Sequence, residues 1–248
     1  MMRAAVALLA FALVTGCRQP TPTAAPQPTA AAPRGASCLA SVIHDLQVEW
    51  PDNRVVNIVA FGHSVPAGFG VTPAVHKRDA YPRLLEDALA QAYPHAVLNV
   101  ITAAVGGENS TQGLARFQHD ALDHHPRVVL IDYGLNDRTL PLAESARNLT
   151  ALVDATRAAG ACPVLLTPTW DTQVDPQRPG DPLGEQAAMI RRVGASTEAP
   201  VADSLAAFEA FSGDRAALMA QFNHPNRAGH QLVVARLLPL FQPATAAR

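Results

Sequence analysis

Four short stretches of this 248-residue chain carry groups suited to acyl chemistry. The first is Gly62-His63-Ser64-Val65-Pro66-Ala67-Gly68-Phe69-Gly70, which sets a hydroxyl behind a glycine. Glycine permits a tight turn, and a loop that opens into a helix leaves backbone N–H groups free for a developing negative charge. Ser64 therefore reads either as an exposed nucleophile or as a helix cap. The second, Val105-Gly106-Gly107-Glu108-Asn109-Ser110, carries paired glycines that let a backbone N–H approach a substrate oxygen, or that form a plain turn. The third, Gly134-Leu135-Asn136-Asp137, offers a side-chain amide as a further donor to that oxygen, or as an Asx-turn. The fourth, Asn223-His224-Pro225-Asn226, supplies an imidazole whose ordinary pKa of about 6.5 suits a general base near neutrality.

These groups need elements that bring them together. Val55–Phe61 is a nearly continuous apolar run, as in a strand covered on both faces. Residues 96–101, 127–132, 162–167 and 200–202 give four further strand candidates. Helical spacing occupies residues 79–92, 110–123, 141–159, 184–194 and 227–240, with Gly160 as a plausible stop after the third. Alternating strands and helices of this length predict a parallel sheet between helical layers. Ligands of such sheets bind beyond the carboxyl ends of the strands. Gly62–Gly70, Thr102–Ser110, Tyr133–Arg138 and Pro168–Pro182 should then share one rim.

With these blocks in this order, the chain resembles the SGNH/GDSL hydrolases, named for blocks carrying Ser, Gly, Asn and His. Gly62-His63-Ser64 with Ala67-Gly68 resembles the first block, and Val105–Ser110 with Gly113-Leu114-Ala115-Arg116 the second. Gly134-Leu135-Asn136-Asp137 and His224-Pro225-Asn226 resemble the third and fourth. The resemblance runs from about Val55 to about Leu240. It implies a flavodoxin-like three-layer α/β/α sandwich with a five-stranded parallel sheet, and hydrolysis of esters. It also implies Ser64 as nucleophile, His224 as general base, and an oxyanion hole from the Ser64 and Gly107 N–H groups and the Asn136 amide, with Gly106 as the alternative to Gly107. No metal or organic cofactor is required.

Two departures stand out. His63 replaces the Asp that precedes the nucleophile in the family. Gln221 occupies the place, three residues before the His, where the family carries the acid that orients the imidazole. Either Gln221 or a backbone carbonyl orients His224, or another carboxylate substitutes, or the enzyme is slow or inactive. Asp203 and Asp214 are the candidate carboxylates, although Asp203 reads better as the N-cap of a following helix.

The N-terminus reads as an address. An apolar run from Ala4 to Val14 follows Arg3; it falls short of the roughly 20 residues that span a bilayer and fits a secretory signal. It closes Val14-Thr15-Gly16-Cys17, resembling the lipobox of bacterial lipoproteins, which implies lipidation of Cys17 after removal of the leader. Fourteen of the 19 residues at 18–36 are Pro, Thr or Ala, predicting an extended tether. The expected organisation is a leader at 1–17, a tether at 18–36 and a catalytic domain at 37–243. The expected location is a bacterial membrane surface, on the periplasmic or cell-surface side. An oxidising compartment would let Cys38 and Cys162 pair; otherwise they are two unrelated buried thiols.

Composition narrows the remaining classes. An apolar content of 48% excludes a wholly disordered chain, and a net charge of −2 (19 Lys+Arg against 21 Asp+Glu) lacks the footprint of a nucleic-acid binder. Three Cys and no Cys-x-x-Cys pair argue against a disulfide-rich scaffold or structural zinc. His119, His124 and His125 read as solvated surface, because adjacent helical side chains do not face one another. The polar segment Asp171–Pro182 should overhang the site and suits an acylated sugar. A small-acyl, carbohydrate-directed esterase is thus the leading expectation. A lipase or thioesterase, an acyltransferase and a non-catalytic glycan-binding lipoprotein are the alternatives.

Overall fold

The computed structural model describes residues 36–243. The leader, Cys17 and tether residues 18–35 lie outside the described residues. Helix α1 (Ala36–Gln47) begins at the last residue assigned to the tether.

Five parallel strands form the sheet: β1 (Val55–Gly62), β2 (Val97–Ala104), β3 (Val128–Asp132), β4 (Cys162–Leu166) and β5 (Val201–Ala202), in the order β2-β1-β3-β4-β5. That order places β2 and β3 on opposite sides of β1, so the chain changes direction across the sheet there and opens a crevice at the strand ends. Alternation along each strand sends side chains to opposite faces. Ile58, Ala60, Leu130 and Val164 join one core cluster, while Val59, Phe61, Ile131 and Leu165 join the other. The first cluster is covered by α1, α3 (Tyr81–Ala92) and α9 (Arg227–Leu237), through Leu46, Leu85, Leu89 and Val233. The second is covered by α4 (Ser110–Asp120), α6 (Leu142–Ala158) and α7 (Pro182–Thr197), through Phe117, Leu152 and Ile190. This is the expected three-layer sandwich. Every residue of β3 and β4 is buried, which is why their sequences are unbroken apolar runs.

Element boundaries differ from the sequence reading for local reasons. β2 extends to Ala104 because it stays in register with β1 as far as Gly62. The helix expected to reach 123 ends at Asp120 and passes into a 3₁₀ turn closed by His125 at φ +48°. The last helix stops at Leu237, ahead of a 3₁₀ turn containing Pro239. Periodicity had no purchase on the one-turn helices α2 (Ser64–Ala67) and α5 (Gly134–Asp137), on α8 (Ser204–Glu209), or on the hairpin β6 (Met219–Gln221) and β7 (His224–Pro225).

Cys38 and Cys162 form a disulfide, with Cα atoms 5.6 Å apart, tying α1 to the start of β4. It closes a stretch of 124 residues. Removing a native disulfide costs about 2–5 kcal/mol. At about 2–4 °C per kcal/mol for a domain of this size, Cys38→Ser should lower Tm by about 4–20 °C in calorimetry. Reductant should lower the Tm of the parent chain and leave that of the variant unmoved.

Candidate active site

The register explains how distant stretches meet. Gly62 pairs with Ala104 on one side and with Asp132 on the other, so β1, β2 and β3 end level. Gly62 sits where a Cβ would meet the Asp132 carbonyl oxygen at 2.3 Å, so no larger residue fits between these strand ends. The chain then turns at once into α2. His63 caps α2 by accepting the Val65 N–H, and Ser64 is its first residue. Gly68, at φ +90°, ends it in the left-handed conformation that glycine tolerates.

His224 arrives on the hairpin of β6 and β7, with Phe222 and Asn223 at the turn. Asn226 fixes the exit by capping α9 through the Ala228 and Gly229 N–H groups and donating to the Ala217 carbonyl at 2.8 Å. This places His224 Nε2 3.0 Å from Ser64 Oγ, across 160 residues of sequence. On its other side His224 Nδ1 lies 2.9 Å from the carbonyl oxygen of Gly70. A carbonyl only accepts, so Nδ1 carries the hydrogen and Nε2 presents its lone pair to the serine hydroxyl. Burial, with His63 nearby, holds the His224 imidazole below its ordinary range, against the opposing pull of the Gly70 carbonyl.

The orienting group is thus a backbone carbonyl. Gln221 faces elsewhere, its Oε1 accepting the Thr72 N–H at 2.8 Å. It thereby pins the loop that presents Gly70, which is braced internally by Gly70 N–H to Ala74 O (3.0 Å) and His76 N–H to Gly68 O (2.7 Å). Neither candidate carboxylate substitutes. Asp203 caps α8 through the Ala206 N–H and pairs with Arg191 at 2.7 Å, and Asp214 caps the turn at residues 215–218.

The glycine and amide stretches stand beside one another. Asn136, on α5, donates from Nδ2 to the Glu108 carbonyl at 2.8 Å, which joins it to the turn carrying Gly107. Gly107 is exposed at φ +83°, and a Cβ there would meet only open space, so conformation and not room requires glycine. Gly106 packs against the Phe69 ring. Arg116 is a residue whose role the sequence did not disclose. It donates to the Gly62 and Ala103 carbonyls, each at 3.1 Å, pairs with Glu108 and lies over the Phe61 ring. One guanidinium thus joins the ends of β1 and β2 to the Gly107 turn. Its only sequence signal was membership of the second block.

The segment from Asp171 to Pro182 touches the site through the Thr172 N–H, which donates to the Phe222 carbonyl at 2.8 Å. Its acids are partly committed to structure: Asp171 is buried against Arg138, and Asp181 caps α7. Asp175, Gln177 and Arg178 remain exposed. The loops around Ser64 and His224 also expose the apolar side chains of Val71, Val75, Val105 and Phe222.

Comparison with known proteins agrees with this fold. Residues 60–232 match the GDSL-like lipase/acylhydrolase family. The thioesterase 1/protease 1/lysophospholipase L1 of Escherichia coli K12 is 30% identical over 111 residues, 44% of this chain and 49% of that protein. The chain therefore spans about half the length of that curated relative. The lipase/acylhydrolase of Enterococcus faecalis superposes with a TM-score of 0.65 at 26% identity, covering 77% of this chain and all of that one. An acetylxylan esterase from Geobacillus stearothermophilus gives the same TM-score at 21% identity, over 75% of this chain and 94% of that one.

Proposed function

The chain belongs to the GDSL-like lipase/acylhydrolase family, and from that premise we propose that it is a serine ester hydrolase for small acyl groups, O-acetylated carbohydrates included. Ser64 Oγ attacks the ester carbonyl while His224 Nε2 takes its proton. The Ser64 and Gly107 N–H groups and the Asn136 amide receive the oxyanion. His224 then protonates the departing alcohol, and water, deprotonated by the same imidazole, releases the acid. The observation that carries this reading is the 3.0 Å contact between Ser64 Oγ and His224 Nε2, with the tautomer fixed by Gly70. A carbonyl dipole holds the ring without the full charge of a carboxylate, so the imidazolium formed in the transition state is less stabilised than in a triad.

A panel of acetyl, butyryl and longer-chain esters, together with acetylated xylan and mannan oligomers, tests the reading on the full chain. Turnover highest on acetyl esters supports it, and absence of turnover on every ester overturns it. The exposed apolar side chains of Val71, Val75, Val105 and Phe222, on the segments next to Gly70, Gly107 and His224, favour a second reading, a lipase or thioesterase, which predicts rates that rise with chain length. Partition of the acyl group to an added sugar acceptor would identify an acyltransferase.

The pH profile follows from His224. The base must be neutral to act, so kcat/KM falls as pH drops through its pKa in the free enzyme. Because burial holds that pKa below the ordinary value of about 6.5, the acid limb should have its midpoint below 6.5. A midpoint above 7 would contradict the assignment.

The disulfide supports an exported protein, since such bonds persist in oxidising compartments. We further propose that Cys17 is lipidated and holds the domain at a membrane surface. Cys17→Ala should move the protein from the membrane to the soluble fraction, and an unchanged distribution would refute the anchor.

A further inference from the structure

Ser64 has a second imidazole within reach. His63 precedes it at the junction of β1 and α2 and is fully buried. Its Nδ1 lies 3.4 Å from Ser64 Oγ and accepts the Val65 N–H at 3.3 Å. A nitrogen that accepts has its lone pair outward, so the ring hydrogen resides on Nε2. Among the described residues Nε2 meets no hydrogen-bond acceptor at full bonding distance, and the nearest carboxylate is Asp132, with Oδ1 at 3.5 Å. Asp132 closes β3, is buried, and also neighbours the buried Tyr81 hydroxyl. Two imidazole nitrogens therefore stand within reach of one hydroxyl, the lone pair of His63 Nδ1 being shared with the Val65 N–H, and the two imidazoles are backed differently. His224 leans on a neutral carbonyl, whereas His63 faces a carboxylate.

We propose that His63, backed by Asp132, is a second general base for the acylation of Ser64, so that Ser64, His63 and Asp132 make a serine–histidine–aspartate set on the buried side of the nucleophile. This rests on Ser64 being the nucleophile. As Oγ bonds to the acyl or phosphoryl centre, the Oγ–H bond breaks and the proton passes to His63 Nδ1, which gives up its hydrogen bond from the Val65 N–H. The resulting imidazolium directs its Nε2–H at Asp132. The leaving group departs with its bonding electron pair. His63 is sealed from solvent, so the role extends to leaving groups that depart as stable anions and need no proton, such as fluoride or a nitrophenolate. Protonation of an ordinary alcohol remains with His224, on the open side. The departure at position 63 thus places a lone pair beside Ser64 Oγ where the resemblance implies a carboxylate.

Labelling of the full chain by a fluorophosphonate tests this, because fluoride leaves unprotonated. Parent protein that labels, with Ser64→Ala that does not, establishes the nucleophile; failure there removes the underlying reading and is distinct from failure of His63. General bases contribute about 10²–10⁴-fold. His224→Ala should therefore still label at Ser64, about 10²-fold more slowly than the parent. Adding His63→Asn to that variant should slow labelling at least about tenfold further, and adding Asp132→Asn should slow it in the same direction. Circular dichroism checks the fold of each, and the near-isosteric Asp132→Asn decides the matter if His63→Asn unfolds. No Ser64-dependent labelling in His224→Ala overturns the proposal outright. So does a His224→Ala rate that neither added substitution changes.

Discussion

Ser64→Ala is expected to lower kcat on a short-acyl ester by about 10⁴–10⁶-fold, the scale seen when an activated nucleophile is removed from a set that acts as a unit. The hydroxyl is small and its deletion leaves α2 capped by His63, so stability should change by less than about 1 kcal/mol. What is lost is chemistry: without Oγ no acyl-enzyme forms, and the imidazole 3.0 Å away has no proton to take. The residual rate should come from the oxyanion donors acting on a bound ester attacked by water. Steady-state kinetics with a nitrophenyl acetate, alongside melting curves, checks both halves. Retention of more than about 1% of parental kcat would remove Ser64 from the mechanism, since no auxiliary group compensates a missing nucleophile to that extent.

Asn136→Ala should cost about 10²–10³-fold in kcat, equivalent to about 2.7–4 kcal/mol, the range for one oxyanion donor. The loss should fall on kcat with KM nearly unchanged, because the donor bonds most strongly to charge that exists only in the transition state. One complication is geometric. Asn136 also donates to the Glu108 carbonyl, so truncation frees one restraint on the turn carrying Gly107. That turn has independent supports in the Arg116–Glu108 pair and the Asn109–Gln112 capping box. The turn should therefore hold, and the kinetic loss should report the donor itself. Asn136→Asp keeps the shape but loses the same Nδ2–H from the Glu108 carbonyl and from the oxyanion, and its carboxylate would repel the developing charge, so it should be at least as impaired as the alanine variant. A kcat within about threefold of the parent in both variants would show that Asn136 serves only the turn.

Sequence alone went far here for physical reasons. The buried central strands were legible as nearly continuous apolar runs, whereas β2, at an edge and nowhere buried, and the two-residue β5 were legible from their alternation with helices, which dictated a sheet covered on both faces. A parallel sheet has one rim of carboxyl ends, and this put the stretches carrying Ser64, Gly107 and Asn136 on the same rim as a consequence of strand order. Glycines at 62, 68 and 107 marked places where backbone approach or positive φ leaves no alternative. The disulfide was legible only as two available cysteines, because pairing depends on a 5.6 Å Cα separation reached after 124 residues of chain have folded.

Other features belonged to tertiary structure alone. The group that orients His224 is a backbone carbonyl at Gly70, and every residue has one, so no residue type could announce it. Gln221 stood at the position of an acid, yet its target is the Thr72 N–H, a choice made by how the hairpin meets the loop 149 residues earlier. The one-turn helices holding Ser64 and Asn136 are too short to leave a periodic trace. His63 gained its partner only because parallel pairing sets the end of β3 level with Gly62. Residue type and local pattern thus determined which groups could react and at which edge they would gather. The orientation of each imidazole was decided by contacts between segments far apart in sequence, which exist only once the layers have packed.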